Sequence, residues 1–356
     1  MTGMIDIESI WESYGLQTIQ QELDKLFPEY DISLNGLLEQ FLAGDIIGSI
    51  TGLMQSCLTG FLGYWESLKN ILIWLLILGI ASSLITHFVE IFDRHQISDL
   101  SFFFLYLLFM TILMKCYQET AAAVAELLEN VILFMKLMIP TYMLAVGVSS
   151  GVIAVSVTYQ AMLILIYIVE HFLKGGVLPF VQVYMFLIMM NGVWVEEKFA
   201  LLIELIKKGI GTALKCAIGL VTGISVFQSM ITPAISSVKA TVFQKVISVI
   251  PGIGSAAEGA MELVLGAAVI IKNSIGIICM LILLVICAAP LMYIFFMAWI
   301  LRLASAIVGL VSDKRLTSCT NQMGEACMLL FRTAATAVLL FLISISVIAM
   351  TAGRVV

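Results

Sequence analysis

The chain has 356 residues, 61% of them hydrophobic and only 12% charged, with a mean hydropathy of +1.09. Soluble domains are close to half apolar, so the expected solvent is a bilayer, and the expected fold is all-α: a polytopic transmembrane helical bundle. Roughly seven or eight spans of about 20 residues fill such a length and exclude a large soluble catalytic domain.

The net charge of −6 hides an asymmetry: residues 1–69 carry ten acids against two bases, and the remainder fourteen acids against sixteen bases. Lys and Arg hold loops in the cytoplasm while acids have little influence, so residues 1–69 read as an acidic, extracytoplasmic N-terminal region and residues 70–356 as the transmembrane domain. No basic patch recommends nucleic acid as a partner. The opening MTGMIDIESIWESYG has neither a basic nor an apolar signal-peptide region, so either a signal peptide was removed or the first span exports the N-terminus unaided.

Asp31 to Leu62 reads as two short amphipathic helices. Leu34, Leu38, Phe41 and Leu42 make one stripe, and Ile46, Ile50, Leu53, Cys57 and Phe61 continue it after a Gly44-Asp45 break. This face packs on the membrane surface, on the protein's own bundle or on a dedicated partner.

Hydropathy then predicts spans at Asn70–Phe88 and Phe102–Cys116, the second closed by an acidic run of Glu119, Glu126 and Glu129. Val131–Val148 and Val152–Val169 follow as a tight pair joined at Ser149-Ser150-Gly151, and Val177–Val195 comes next. Glu196–Ala213 has the pattern of an interfacial helix, marked as cytoplasmic by Lys198, Lys207, Lys208 and nearby Lys215. Spans at Leu214–Ile231, Ile275–Leu301 and Met328–Met350 complete the set, with Arg302, Lys314, Arg315 and Arg332 assigned to a cytoplasmic loop between the last two. With residues 1–69 outside, these loops keep their sides only if Gln228–Gly276 makes no net crossing, as a re-entrant or interfacial helical hairpin over 232–272.

In that hairpin Thr232-Pro233 reads as a helix start. Ile235, Val238, Val242, Val246 and Val249 line one stripe of the first arm, while Lys239 and Lys245 lie off it. Its roughly 17 residues reach about 26 Å, short of a hydrocarbon core of about 30 Å. Pro251-Gly252-Ile253-Gly254 breaks the helix, Ser255 to Glu258 restarts it as a capping box, and Lys272-Asn273 ends a second arm lined with alanine and glycine. Such an element either lines a water-filled cavity or lies flat at the interface with its lysines on lipid phosphates.

Lys136, inside the apolar run VILFMKLMIP and ahead of Pro140, favours the cavity, because an intramembrane cation normally faces the bundle interior or water; the alternative is snorkelling to an interface. Asn191 is a weaker pointer of the same kind. Candidate pathway or hairpin residues are therefore Lys136, Pro140, Asn191, Thr232, Pro233, Lys239, Lys245, Pro251, Gly252, Gly254, Glu258, Lys272 and Asn273.

Catalytic readings are weak. GIGSAAEG lacks the preceding strand and the Lys-hydroxyl ending of a phosphate loop. A membrane serine hydrolase needs a histidine base, and His87, His95 and His171 lie near membrane boundaries with none after residue 171. The seven cysteines form no CxxC pair and read as small buried hydrophobes. The chain is expected to be no enzyme and to need neither metal nor cofactor.

The run ITPAISSVKATVFQKVISVIPGIGSAAEGAMELVLGAAVIIKNSIGI, the later Cys287-Ala288-Ala289-Pro290 and the earlier KLMIPTYMLAVGVSSG together resemble the stage III sporulation protein AE family of endospore-forming bacteria. The likeness runs from about residue 30 to the end. It implies a permease-like protein of the mother-cell membrane around the forespore, within a transenvelope channel complex that supports forespore development. The partners implied are the other stage III A-operon proteins and the forespore protein Q, with the N-terminal region facing the intermembrane space. Family members commonly begin with a signal peptide. Two functional readings follow: a subunit that passes small solutes from mother cell to forespore, or a non-conducting membrane scaffold that assembles the other channel proteins.

Overall fold

Without water to bond exposed backbone groups, a chain of this composition satisfies its N–H and C=O groups within helices. The computed structural model describes residues 20–21, 23–25, 33, 36, 46–91, 95–150, 152–193, 198–247, 254–310 and 314–351, with side chains from residue 61 onward at 61–84, 103–140, 143, 159–192, 198–224, 226, 273–310 and 314–346. No strand occurs among the described residues. The helices are α1 (Ile46–Ile91), α2 (His95–Ser150), α3 (Val152–Glu170), a π-helical segment (His171–Val177), α4 (Leu178–Val193), α5 (Ala200–Ile247), α6 (Gly254–Val308) and α7 (Lys314–Thr351).

Four stretches among the described residues are long and apolar enough to cross a membrane: Phe61–Leu84, Tyr159–Gly192, Asn273–Val308 and Lys314–Ser346. The last two form the centre, with 56% and 61% of their apolar windows buried against 28% and 33% for the first two. α6 and α7 make the most extensive helix pair, and α1, α2 and α5 pack around them. Ala298, Ala304, Ala326, Ala334 and Ala337 are fully buried there, and such small side chains let helix backbones approach closely. Several buried hydroxyls are satisfied within their own helices: Thr120 donates to the Cys116 carbonyl at 2.7 Å, Thr333 to Leu329 at 2.9 Å and Ser344 to Leu340 at 2.7 Å. Large apolar side chains such as Trp74, Ile164, Phe180, Leu220 and Trp299 face outward, as suits a lipid solvent.

The expected spans at 70–88, 152–169, 177–195, 275–301 and 328–350 fall in or overlap these four stretches, those at 102–116, 131–148 and 214–231 are helical but not among them, and several connections differ from expectation. The acidic run Glu119 to Glu129 is no loop: α2 continues through it for 56 residues, about 84 Å at 1.5 Å per residue, and fuses the expected spans at 102–116 and 131–148. Glutamate is a good helix former, the run contains alanines and neither Gly nor Pro, and Lys115 supports Glu119 one turn on at 3.9 Å. Charge interrupts hydropathy without interrupting a helix, so the alternation of sides that relied on this loop does not hold.

Thr232-Pro233 does not start a helix, because α5 runs unbroken from the expected interfacial helix through 214–231 to Ile247. A proline removes one backbone bond and bends a helix, while in an apolar solvent the helix still bonds all its other groups. Lys272-Asn273 likewise ends nothing, since α6 joins the second arm to the 275–301 span. Arg302 lies in α6, which ends at Val308, and Arg332 in α7, which begins at Lys314, so neither belongs to a loop. α5 ends at Ile247 and α6 begins at Gly254, on either side of the expected break, and residues 248–253 with Pro251 and Gly252 lie outside the described residues, as do the stripe residues Leu34, Leu38, Phe41 and Leu42 and the Gly44-Asp45 break. α2 ends at Ser150 and α3 begins at Val152, with Ser149 and Ser150 still helical; Gly151 lies outside the described residues.

Candidate functional site

The expected spans at 152–169 and 177–195 are one continuous helical column whose middle turns are widened. Pro179 has no N–H to offer the carbonyl of Gly175, and Gly175-Gly176 has little preference for regular helix. The chain accommodates both by a π turn over His171–Val177, closed by the Leu178 N–H donating to the Leu173 carbonyl. Lys174 projects from this widened turn, near the middle of the apolar column Tyr159–Gly192.

Two ion pairs cross from α2 to this column. Lys174 Nζ donates to Glu129 Oε2 at 3.3 Å, and Lys136 Nζ donates to Glu170 Oε2 at 3.3 Å. Both segments run acid before base along the chain, and because they pack antiparallel each cation meets an anion. All four side chains are partly exposed. In water such pairs contribute little, but between apolar helices each partner spares the other an unpaired charge. Within the same column, the rings of Tyr167 and His171 stack with centroids 6.1 Å apart.

Beside Lys174 lies a cavity of about 300 Å³ between α2, the π segment, α4 and α7. Gln118, Gln182, Lys174 and Tyr117 are its polar lining, and Met114 and Leu330 are among its apolar walls. Leu330 stands at the middle of Lys314–Ser346, as Lys174 stands near the middle of its own column, so the cavity sits at mid-height of the bundle. Among the described residues, no group of three or more His, Cys, Asp or Glu stands together as a metal site. Cys116, Cys279, Cys287, Cys319 and Cys327 are buried and Cys216 is exposed.

A second charged centre joins four helices. Glu325 of α7 accepts from Lys207 Nζ of α5 at 2.6 Å and from the Tyr184 hydroxyl of α4 at 3.4 Å, and Arg302 Nη2 of α6 lies 3.9 Å away. Arg302 reaches this point because its stem crosses Gly324, where any Cβ would fall 2.9 Å from Arg302 Cγ and 3.1 Å from the Ala298 carbonyl oxygen. At the exposed start of α5, the hydrogen bond from Lys208 holds the Glu204 carboxyl below its usual range.

Of the residues singled out in the sequence, Lys136 has a partner, Glu170, which sequence reasoning did not name. Pro140 is exposed within α2. Asn191 is buried, and its Oδ1 accepts the Phe199 N–H at 3.0 Å, tying the end of α4 to the turn before α5. Thr232, Pro233, Lys239 and Lys245 lie on the end of α5 and Gly254, Glu258 and Lys272 on the start of α6, but their side chains fall outside the described residues; Asn273 is exposed on α6. Glu325 also went unnoticed, although an acid within GEACMLLF, in the last apolar helix, was the available signal.

The family model described as stage III sporulation protein AE matches residues 32–352. The stage III sporulation protein AE of Bacillus subtilis (strain 168) is 22% identical over 341 residues, covering 94% of this chain and 84% of that protein. No solved structure matches. With the family model covering nearly the whole helical bundle, the chain belongs to the stage III sporulation protein AE family.

Proposed function

We propose that the chain is a permease-like subunit of a sporulation channel complex, passing small solutes from the mother cell to the forespore across the mother-cell membrane that surrounds it. The observation that carries this reading is the mid-height cavity beside a π segment, whose lining includes Lys174 of the Lys174–Glu129 pair, with the Lys136–Glu170 pair on the same two helical segments. Polar cavities at the midplane and interrupted helices are how membrane transporters hold polar cargo. No bond is made or broken in this role, so the chain acts without catalytic residues or a cofactor. Its partners are the other stage III A-operon proteins and the forespore protein Q, with the acidic N-terminal region in the intermembrane space.

The test is separate replacement of Lys136, Lys239 and Lys245 by leucine in sporulating cells, reading labelled-solute entry into the forespore and spore yield. Several-fold losses are expected in the Lys136→Leu strain, where Glu170 is left without its cation, and at the α5 lysines. Normal passage and spore yield in all three strains overturn the pathway. If, in addition, substitutions on the Asp31 to Leu62 face abolish assembly of the complex, the chain is a scaffold.

A further inference from the structure

We infer that the mid-height cavity binds a small zwitterion of the amino-acid type, its carboxylate on Lys174 and its ammonium on Glu129. The inference deepens the permease reading and rests on it.

The argument begins with charge balance. Lys174 is the charged residue in the cavity lining, and its ammonium is matched at 3.3 Å by Glu129, which stands just beyond the lining on α2, so the pair is neutral as a whole. A simple anion arriving at Lys174 would leave one net negative charge between apolar helices on a partly exposed flank of the bundle, and a simple cation at Glu129 one net positive charge. Either is costly in such a setting. A solute that carries both charges on neighbouring atoms separates the Lys174–Glu129 pair and replaces each partner with its own group, keeping the sum at zero. The geometry suits the exchange: both side chains are long, both are partly exposed and neither is locked by a second ion pair among the described residues.

The rest of the lining gives the solute its remaining contacts. Gln118 on α2 and Gln182 on α4 each offer a carbonyl acceptor and an amide donor, and Tyr117 a hydroxyl. Met114 and Leu330 offer adaptable apolar contact. About 300 Å³ is at the small end of ligand sites, large enough for an amino acid and too small for a nucleotide or an extended peptide. The π turn that carries Lys174 also places it on a less regular backbone, the kind of element that recurs at binding sites in membrane helices.

The experiment uses the full chain in lipid nanodiscs and measures binding of L-alanine, L-serine and L-glutamine against the half-ligands propionate and ethylamine. The zwitterions are expected to bind at least about tenfold more tightly than either half-ligand, and Lys174→Met and Glu129→Gln each to weaken them by about tenfold, the loss of one charge-assisted contact. Equal binding of propionate and alanine, or no zwitterion binding at millimolar concentration, overturns the inference. Should the charge variants fail to fold, Gln118→Leu and Gln182→Leu keep the ion pair intact; weakened glutamine binding supports the site, and unchanged binding by both overturns it. The two readings fail separately. Forespore passage that depends on Lys136 without zwitterion binding removes the zwitterion and leaves the pathway, whereas zwitterion binding with passage indifferent to the lysines removes the permease reading.

Discussion

Replacement of Glu325 by leucine is expected to destabilise the detergent-solubilised protein by about 2–3 kcal/mol, read as a lowered melting temperature or an earlier denaturant midpoint. The carboxylate is the common partner of Lys207 and the Tyr184 hydroxyl, with Arg302 close by, and it is the point at which α4, α5, α6 and α7 meet. Without it two cations face one another with no anion between them. The effect stays below that of a fully buried pair because Glu325 and both bases retain some solvent contact. A double-mutant cycle identifies the cause. Lys207→Met added to Glu325→Leu is expected to cost much less than it does alone, because the charge it removes has by then become a liability. Additive losses would show that the ion pair contributes nothing beyond the packing of its stems.

Gly324→Ala is expected to destabilise the protein by about 1–3 kcal/mol, and Gly324→Val by more. The sign is the informative part, because helix propensity alone favours alanine over glycine by about 1 kcal/mol in a helix interior. A Cβ here would stand 2.9 Å from Arg302 Cγ, 3.1 Å from the Ala298 carbonyl oxygen and 3.3 Å from the Arg302 backbone nitrogen. Two of these three neighbours are backbone, which yields only if α6 and α7 move apart along their most extensive contact. Since that contact also carries the Arg302 stem towards Glu325, the alanine variant is expected to weaken the Glu325 coupling as well. A stabilised alanine variant, in melts of the same preparation, would mean that the two helices do not approach as closely as described.

What the sequence made legible was the location of apolar stretches, because transfer from water depends on composition alone. The boundary between α2, which ends at Ser150, and α3, which begins at Val152, was legible for a related reason: a small, polar, glycine-bearing stretch between two apolar runs has few alternatives. The acidic run of α2 was misread because three glutamates lower hydropathy while favouring helix, two properties that usually travel together and here part. Lys136 was legible as a charge in need of company, but spacing in the chain says nothing about which residue of another helix supplies it. Glu170 and Glu129 became its and Lys174's counterparts only when α2 and the π-bearing column lay side by side. Glu325 was missed for the converse reason. Lys207 carries the pattern of an interfacial lysine, which needs no partner within the chain, so nothing in its sequence context points to Glu325.

The widened turn at His171–Val177 also changes the phase of everything beyond it. One residue accommodated in a π turn rotates the following helix by about 100° relative to the preceding one, since each residue of a regular helix advances by that angle. α3 therefore meets α2 with one side of the column, while α4 meets α7 with another, although a single uninterrupted chain of helical turns connects them. A straight column of the same sequence would aim both halves at the same neighbour. The seven residues act as an indexing joint: they decide which flank of the bundle each half of the column can serve, and hence that Lys174, at the joint itself, is shared between the two.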